Sequence, residues 1–275
     1  MAYRVGTPGP PWGREIVADF TLSALSAGAL WVGAAAHLFA GDSRVWQPAT
    51  LLGFPSIALA LGILVHDLGR PRRFHHMMMA FNATSPMSWG VYLVSAYAVV
   101  AFVALLGPSQ RWTAWALLAL APAVLAYKGL LLSATAVPFW RRGRLLGPLL
   151  LVAGVVLGAS AIALVDARSP RLAPVIVAAG LLQAAGVVGV WLGAGAERSV
   201  LKGTHAGLWW LGGAGAGGLG PALGIVAGVD LRSCAVLALA GGVALRWALL
   251  RGPVEGLAAP ARGVTPEPSS TVARP

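Results

Sequence analysis

Charge is what this sequence has least of. Only 11% of its 275 residues are Asp, Glu, Lys or Arg, where a soluble domain carries about 25%. With 57% hydrophobic residues and several apolar runs of about 18 residues or more, the chain belongs in a bilayer. Those runs are continuous rather than alternating, which excludes a barrel and leaves helices as the spanning element. Cysteine is nearly missing too. Cys234 stands alone, which excludes an internal disulfide and an iron–sulfur cluster held by this chain, since a cluster takes about four thiolates. Calcium loops of the Asp-Xaa-Asp kind, Gly-rich phosphate loops and His-Glu-Xaa-Xaa-His zinc motifs are absent. No short apolar core followed by a small-residue cleavage site opens the chain, so the first apolar run reads as a retained span. The net charge of +11 does not point to nucleic acid, because basic loops follow from membrane topology alone.

What is present is a series of eight expected spans. They cover roughly Glu15–Ala40, Ala49–His66, Met87–Leu106, Trp112–Val137, Leu145–Val165, a sixth from after Arg171 to near Leu192, Ala206–Val229 and Ser233–Leu250. The fold class is therefore an all-α polytopic membrane protein, read as two four-helix bundles of about 15–140 and 145–251 within one integral domain of 1–251. Residues 252–275 are rich in Pro, Gly, Thr and Ser and read as a disordered tail. Gly28 and Gly33 would let neighbouring helices approach the first span closely. Pro55 is expected to kink the second, and the Gly-rich seventh must be supported by packing on others.

An even number of spans puts both termini on one side. That side collects fifteen of the twenty Lys and Arg residues, including Arg70, Arg72, Arg73, Lys128, Arg141, Arg142, Arg144 and Arg246. The opposite side has Arg44, Arg111, Arg168, Arg171 and Arg232. The positive-inside rule makes the richer side cytoplasmic, so both termini are expected in the cytoplasm and the chain in the cell membrane.

The longest polar interruption is 66–90, which holds His66, Asp67, Arg70, Arg72, Arg73, His75 and His76. Arg70-Pro71 breaks helix there, and residues 72–80 could form a short interfacial helix. Ionisable groups inside spans are costly and usually functional. Asp19 lies about one turn into span one, Tyr127 and Lys128 lie near the end of span four, and His66 and Asp67 close span two. Topology brings them all to one face. Taken singly, Asp19 reads as an interfacial charge pairing with Arg14 or a headgroup, Lys128 as a snorkelling cation and Tyr127 as a belt aromatic. Taken together, an acid, a cation and a phenol suit a quinone headgroup. Tyr127 and Lys128 can donate to its carbonyls, while Asp19 or His66 can relay the protons that reduction consumes. Haem b between helices would need facing axial ligands, and only His66 and His205 share a face, both near water.

Two blocks carry a family resemblance. Asp67-Leu-Gly-Arg-Pro-Arg-Arg-Phe74 with Asn82-Ala-Thr-Ser-Pro-Met-Ser-Trp-Gly90 resembles the signature of NrfD/PsrC-type membrane subunits. Tyr127-Lys-Gly-Leu-Leu-Leu-Ser-Ala-Thr-Ala-Val-Pro-Phe-Trp140 resembles the end of that family's fourth helix. The resemblance implies a membrane anchor without haem or metal of its own. Such an anchor passes electrons between menaquinone or ubiquinone and an iron–sulfur subunit, which connects to a catalytic subunit carrying the substrate site. It implies a quinone site in the first bundle, with Tyr127 matching the quinone-binding tyrosine and Asp19 falling where some members have histidine. His66, Asp67, Arg70 and Lys128 are the further candidates for that site. The arginines Arg70, Arg72, Arg73, Arg141, Arg142 and Arg144 would form the docking surface for the iron–sulfur partner, their planar forks matching carboxylates. On this point the two lines of reading part: the resemblance implies a partner outside the cytoplasm, the charge count one inside. A haem-b anchor of a formate dehydrogenase-like complex and a proton or ion transporter using Asp19 and Lys128 are the competing readings.

Overall fold

The computed structural model describes residues 13–67, 79, 81–107, 111–135 and 137–258. The described residues contain no strand, as a chain of continuous apolar runs requires. Helix α1 (Arg14–Ala40) leads into α2 (Ser43–Asp67), followed by α3 (Pro86–Leu106), α4 (Arg111–Ser133) and the short α5 (Pro138–Arg142). Next come α6 (Leu146–Val165) and α7 (Leu172–Ala194), the latter continued by a 3-10 turn over Gly195–Val200. Helix α8 covers 204–226 and α9 is Leu231–Ala258.

Among the described residues seven helices are long and apolar enough to cross a membrane, where eight were expected. The difference lies at the seventh expected span. It is helical from Thr204 to Val226, but it changes type twice: α over Thr204–Gly207, π over Leu208–Leu219, α over Gly220–Val226. The sequence Leu-Trp-Trp-Leu-Gly-Gly-Ala-Gly-Ala-Gly-Gly-Leu has few side chains to hold a tight α turn, so its backbone follows its neighbours. Gln183 of α7, buried, donates Nε2 to the Gly213 carbonyl at 2.9 Å. A Cβ at Gly217 would run into α9 at Gly241 and into Gln183, and one at Gly218 would meet the Gly180 carbonyl. This is the neighbour support that the glycine content demanded.

Other boundaries shift for local reasons. Helix α2 begins at Ser43, six residues before the expected Ala49, and runs through Pro48 and Pro55. Helix α4 stops at Ser133 rather than Val137. Val137, next to Pro138, is extended, and Pro138 then opens α5 from its first position. Phe139 and Trp140 of α5 are wholly buried, and the Trp140 indole donates to the Leu249 carbonyl at 2.9 Å, fastening α5 to α9. The last helix passes Leu250 and continues through Gly252 and Pro253 to Ala258. Apart from Met79, the interfacial helix expected over 72–80 lies outside the described residues, as does the tail beyond 258.

Helix α1 is the centre of the packing, in contact with α2, α4 and α6. Its approach to α6 is backbone against backbone: a Cβ on Gly28 would meet the Gly154 carbonyl, and one on Gly158 would meet the main chain of Gly28 and Ala29. Gly33 gives room to the Ala49 methyl group of α2. Gly41, at φ 64°, provides the left-handed turn between α1 and α2. Asp42 beside it accepts a hydrogen bond from Ser169 at 2.9 Å, tying that turn to the α6–α7 loop.

Candidate functional site

The ends of α1 to α4 on the face shared by Arg14 and Ser133 enclose a cavity of about 240 Å³. Its walls are apolar, with Ile57, Ala60, Leu61 and Leu64 from α2 and Val91 and Val94 from α3. Against these walls stand Asp19 from α1 and Tyr127 and Lys128 from α4.

Asp19 and Lys128, 109 residues apart, form an ion pair through Lys128 Nζ and Asp19 Oδ2. Their side chains are 6% and 11% exposed, so the pair is held out of water. Each charge needs such a partner, because an isolated one costs several kcal/mol in this setting. The carboxylate also accepts from Ser23 Oγ, one turn along α1, at 3.2 Å. The ammonium sits 4.7 Å from the centroid of the Phe20 ring, a cation–π contact that holds Lys128 in position. Neither the partner Arg14 for Asp19 nor snorkelling for Lys128 describes these contacts.

Tyr127 presents its phenol to the cavity, and its hydroxyl has no hydrogen-bond partner among the described residues. The ring end lies directly over Gly90, where a Cβ would occupy the place of the hydroxyl itself. The glycine that closes the Ser85-Pro-Met-Ser-Trp-Gly90 segment is thus a requirement of the tyrosine's position. Deeper along α1, Ser26 and the wholly buried Tyr97 of α3 share a hydrogen bond of 2.8 Å, which fixes α3 to α1 beneath the cavity.

Not every expected residue joins this group. His66 is exposed at the end of α2 and is not among the residues that line the cavity. Asp67 ends α2, but its side chain lies outside the described residues, as does the whole of Arg70 with Arg72 and Arg73. Arg141, Arg142 and Arg144 surround a groove against Gly189, Val190 and Gly193 of α7, and Arg142 lies 3.7 Å from Glu197. Among the described residues no three His, Cys, Asp or Glu side chains come together as a metal site.

Sequence reading missed Arg246. Counted there as a basic residue of the cytoplasmic side, it is wholly buried in α9. Nη1 donates to the Gly242 carbonyl at 3.0 Å, while Nε and Nη2 have no partner among the described residues. It borders a second cavity, of about 10 Å³, together with Phe20, Ser23 and Lys128, three residues that also line the larger one. The signal was available: a lone charge inside the apolar run Leu-Ala-Leu-Ala-Gly-Gly-Val-Ala-Leu-Arg246-Trp-Ala-Leu-Leu.

No match is found among curated proteins. The family described as "Polysulphide reductase, NrfD" matches residues 5–254. Nearly the whole chain is covered, including the second half, where hydropathy was the main signal. Members of this family bind quinone and work with an iron–sulfur or catalytic subunit. The chain belongs to the NrfD family and is a multi-pass membrane subunit of a quinone-linked oxidoreductase complex.

Proposed function

We propose that this chain exchanges electrons between an iron–sulfur partner subunit and the membrane quinone pool, with the headgroup bound between Asp19, Tyr127 and Lys128. The observation that carries this reading is the phenol of Tyr127, without a hydrogen-bond partner among the described residues, facing an apolar cavity beside a buried, paired carboxylate and ammonium. A quinone carbonyl is an acceptor, and the Tyr127 hydroxyl and the Lys128 ammonium are donors placed to meet it. Apolar walls from α2 and α3 receive the ring and the start of the isoprenoid tail.

The reaction balances as quinone plus two electrons and two protons giving quinol, or the reverse. Electrons come from, or go to, the partner. Asp19 is the proton-handling group, because its carboxylate lies on the cavity wall and can take up and pass on a proton as the oxygen of the headgroup changes charge. The ion pair with Lys128 gives that carboxylate a reference position, and Ser23 holds its second oxygen. His66, exposed at the end of α2, is an entry point for protons rather than a headgroup ligand. Asp67 and Arg70 continue the same polar segment. Among the described residues the cavity is lined by ones between 16 and 131, which supports the first half as the quinone-site bundle and the second as its scaffold. Menaquinone and ubiquinone both fit this chemistry. The arginine groove at Arg141, Arg142 and Arg144, on the same face, supports a partner docked there and on Arg70, Arg72 and Arg73.

Tyr127→Phe tests the reading. The substitution keeps the ring and removes the donor, so the complex should assemble while quinone-linked turnover loses about 1–3 kcal/mol of stabilisation. Quinone kinetics equal to wild type would remove Tyr127 from the site. An absorption spectrum of the purified chain with a Soret band would instead favour a haem-bearing anchor.

A further inference from the structure

The buried charges around the pocket do not balance. Asp19 supplies one carboxylate, Lys128 one ammonium and Arg246 one guanidinium. Asp19 and Lys128 pair with each other. Among the described residues Arg246 has no carboxylate: its one bond there goes to a main-chain carbonyl one turn back, and two of its nitrogens have no partner. A guanidinium stays protonated under all ordinary conditions, so this is a fixed positive charge in a low-dielectric interior. Burying it without a counter-charge is expensive. Its position is specific. Arg246 faces a cavity the size of a single water molecule, whose other walls are Phe20, Ser23 and Lys128 of the large pocket together with apolar residues of α1, α4 and α6. The large pocket, which shares three lining residues with that cavity, has room for a negative charge.

We propose that Arg246 sets the charge preference of the quinone pocket, so that it takes an acidic hydroxyquinone headgroup, in its ionised form, in preference to a neutral headgroup of the same shape. The inference rests on the quinone reading and adds to it a ligand class and a residue that determines it. Arg246 does not touch the headgroup. It acts through space, across Ser23 and Lys128, and the attraction survives because these residues are buried and the charge is poorly screened there. A unit charge acting over one helix diameter at the dielectric of a protein interior changes affinity by roughly tenfold or more.

The test uses two probes with one ring system: 2-hydroxy-1,4-naphthoquinone, ionised at neutral pH, and 2-methoxy-1,4-naphthoquinone, which is neutral. Affinities are measured by quenching of tryptophan fluorescence, on the full chain in lipid nanodiscs. Wild type should bind the ionised probe tighter by roughly tenfold. Arg246→Gln, which can still donate a hydrogen bond but has no charge, should bind both about equally. Arg246→Lys should restore much of the preference. If Arg246→Gln does not fold, Arg246→Met against Arg246→Lys makes the same comparison, and a wild-type preference for the neutral probe overturns the proposal without any variant. An unchanged ratio in a folded, uncharged variant overturns it while leaving the quinone site standing. Failure of both probes to bind wild type overturns the quinone reading and this inference together.

Discussion

The Asp19–Lys128 pair is the residue-scale device on which the pocket depends. Two charges that would each be costly in an apolar helix bundle are brought together from α1 and α4 and kept at low exposure. Breaking such a pair on one side leaves the other charge buried and alone, which costs about 3–5 kcal/mol. Asp19→Asn and Lys128→Met should therefore each lower the melting temperature in detergent clearly. The double variant should be more stable than the sum of the two losses predicts, because it leaves no orphan charge. Strict additivity in that cycle would mean that the two side chains do not meet. Asp19→Asn should also cut quinone turnover more than quinone binding, as proton delivery and headgroup contact are separate contributions. Asp19, Tyr127 and Lys128 were legible in the sequence because a charge inside an apolar run is rare enough to stand out. Their pairing was not, since nothing in a one-dimensional pattern links positions 109 residues apart. Arg246 carried the same signal and was lost to a topological count, because a basic residue near a span end reads equally as a loop anchor.

At the scale of elements, small residues decide how close the helices come. Gly28 and Gly33 announced close approaches on α1, but only the fold assigns Gly28 to α6 and Gly33 to α2. The π stretch of α8 was not legible at all, for its geometry comes from Gln183 and from the crossings at Gly180 and Gly241 rather than from its own residues. The α1–α6 crossing offers a sharp comparison. At Gly158 a methyl group would press into the main chain of Gly28 and Ala29, neither of which can turn aside. Gly158→Ala should destabilise the chain by about 1–3 kcal/mol, the range for overpacking. Gly62→Ala on α2, where no atom of the described residues beyond the helix's own backbone lies within 4 Å of the added carbon, should be neutral or stabilising by up to about 1 kcal/mol. Thermal unfolding of both variants in one detergent measures the difference. Equal effects would mean that helix propensity, not backbone contact, governs the crossing. Gly90→Ala belongs to the same class, with a functional readout: the methyl group displaces the Tyr127 phenol, so quinone affinity should fall while the fold persists.

For the whole molecule the open quantity is orientation, and it depends on how many times the chain crosses. With α8 as a crossing, described residues 14 and 258 lie on one face, and the α8–α9 turn at 227–230 lies on the other. Lys128 and Arg246 pair or pack inside the protein and no longer count as loop charges, which leaves thirteen basic residues against five. The asymmetry still favours a cytoplasmic location for the face that carries the pocket and the arginine groove. Three reporter positions settle both matters. A cytoplasm-only fluorescent protein should be bright both inserted after Lys202 and fused after Pro275, and alkaline phosphatase inserted after Gly228 should be active. Phosphatase activity after Lys202 would place the pocket and the partner outside the cytoplasm. The same reporter active after Lys202 and after Gly228 would mean that the α–π–α segment of 204–226 does not cross the bilayer.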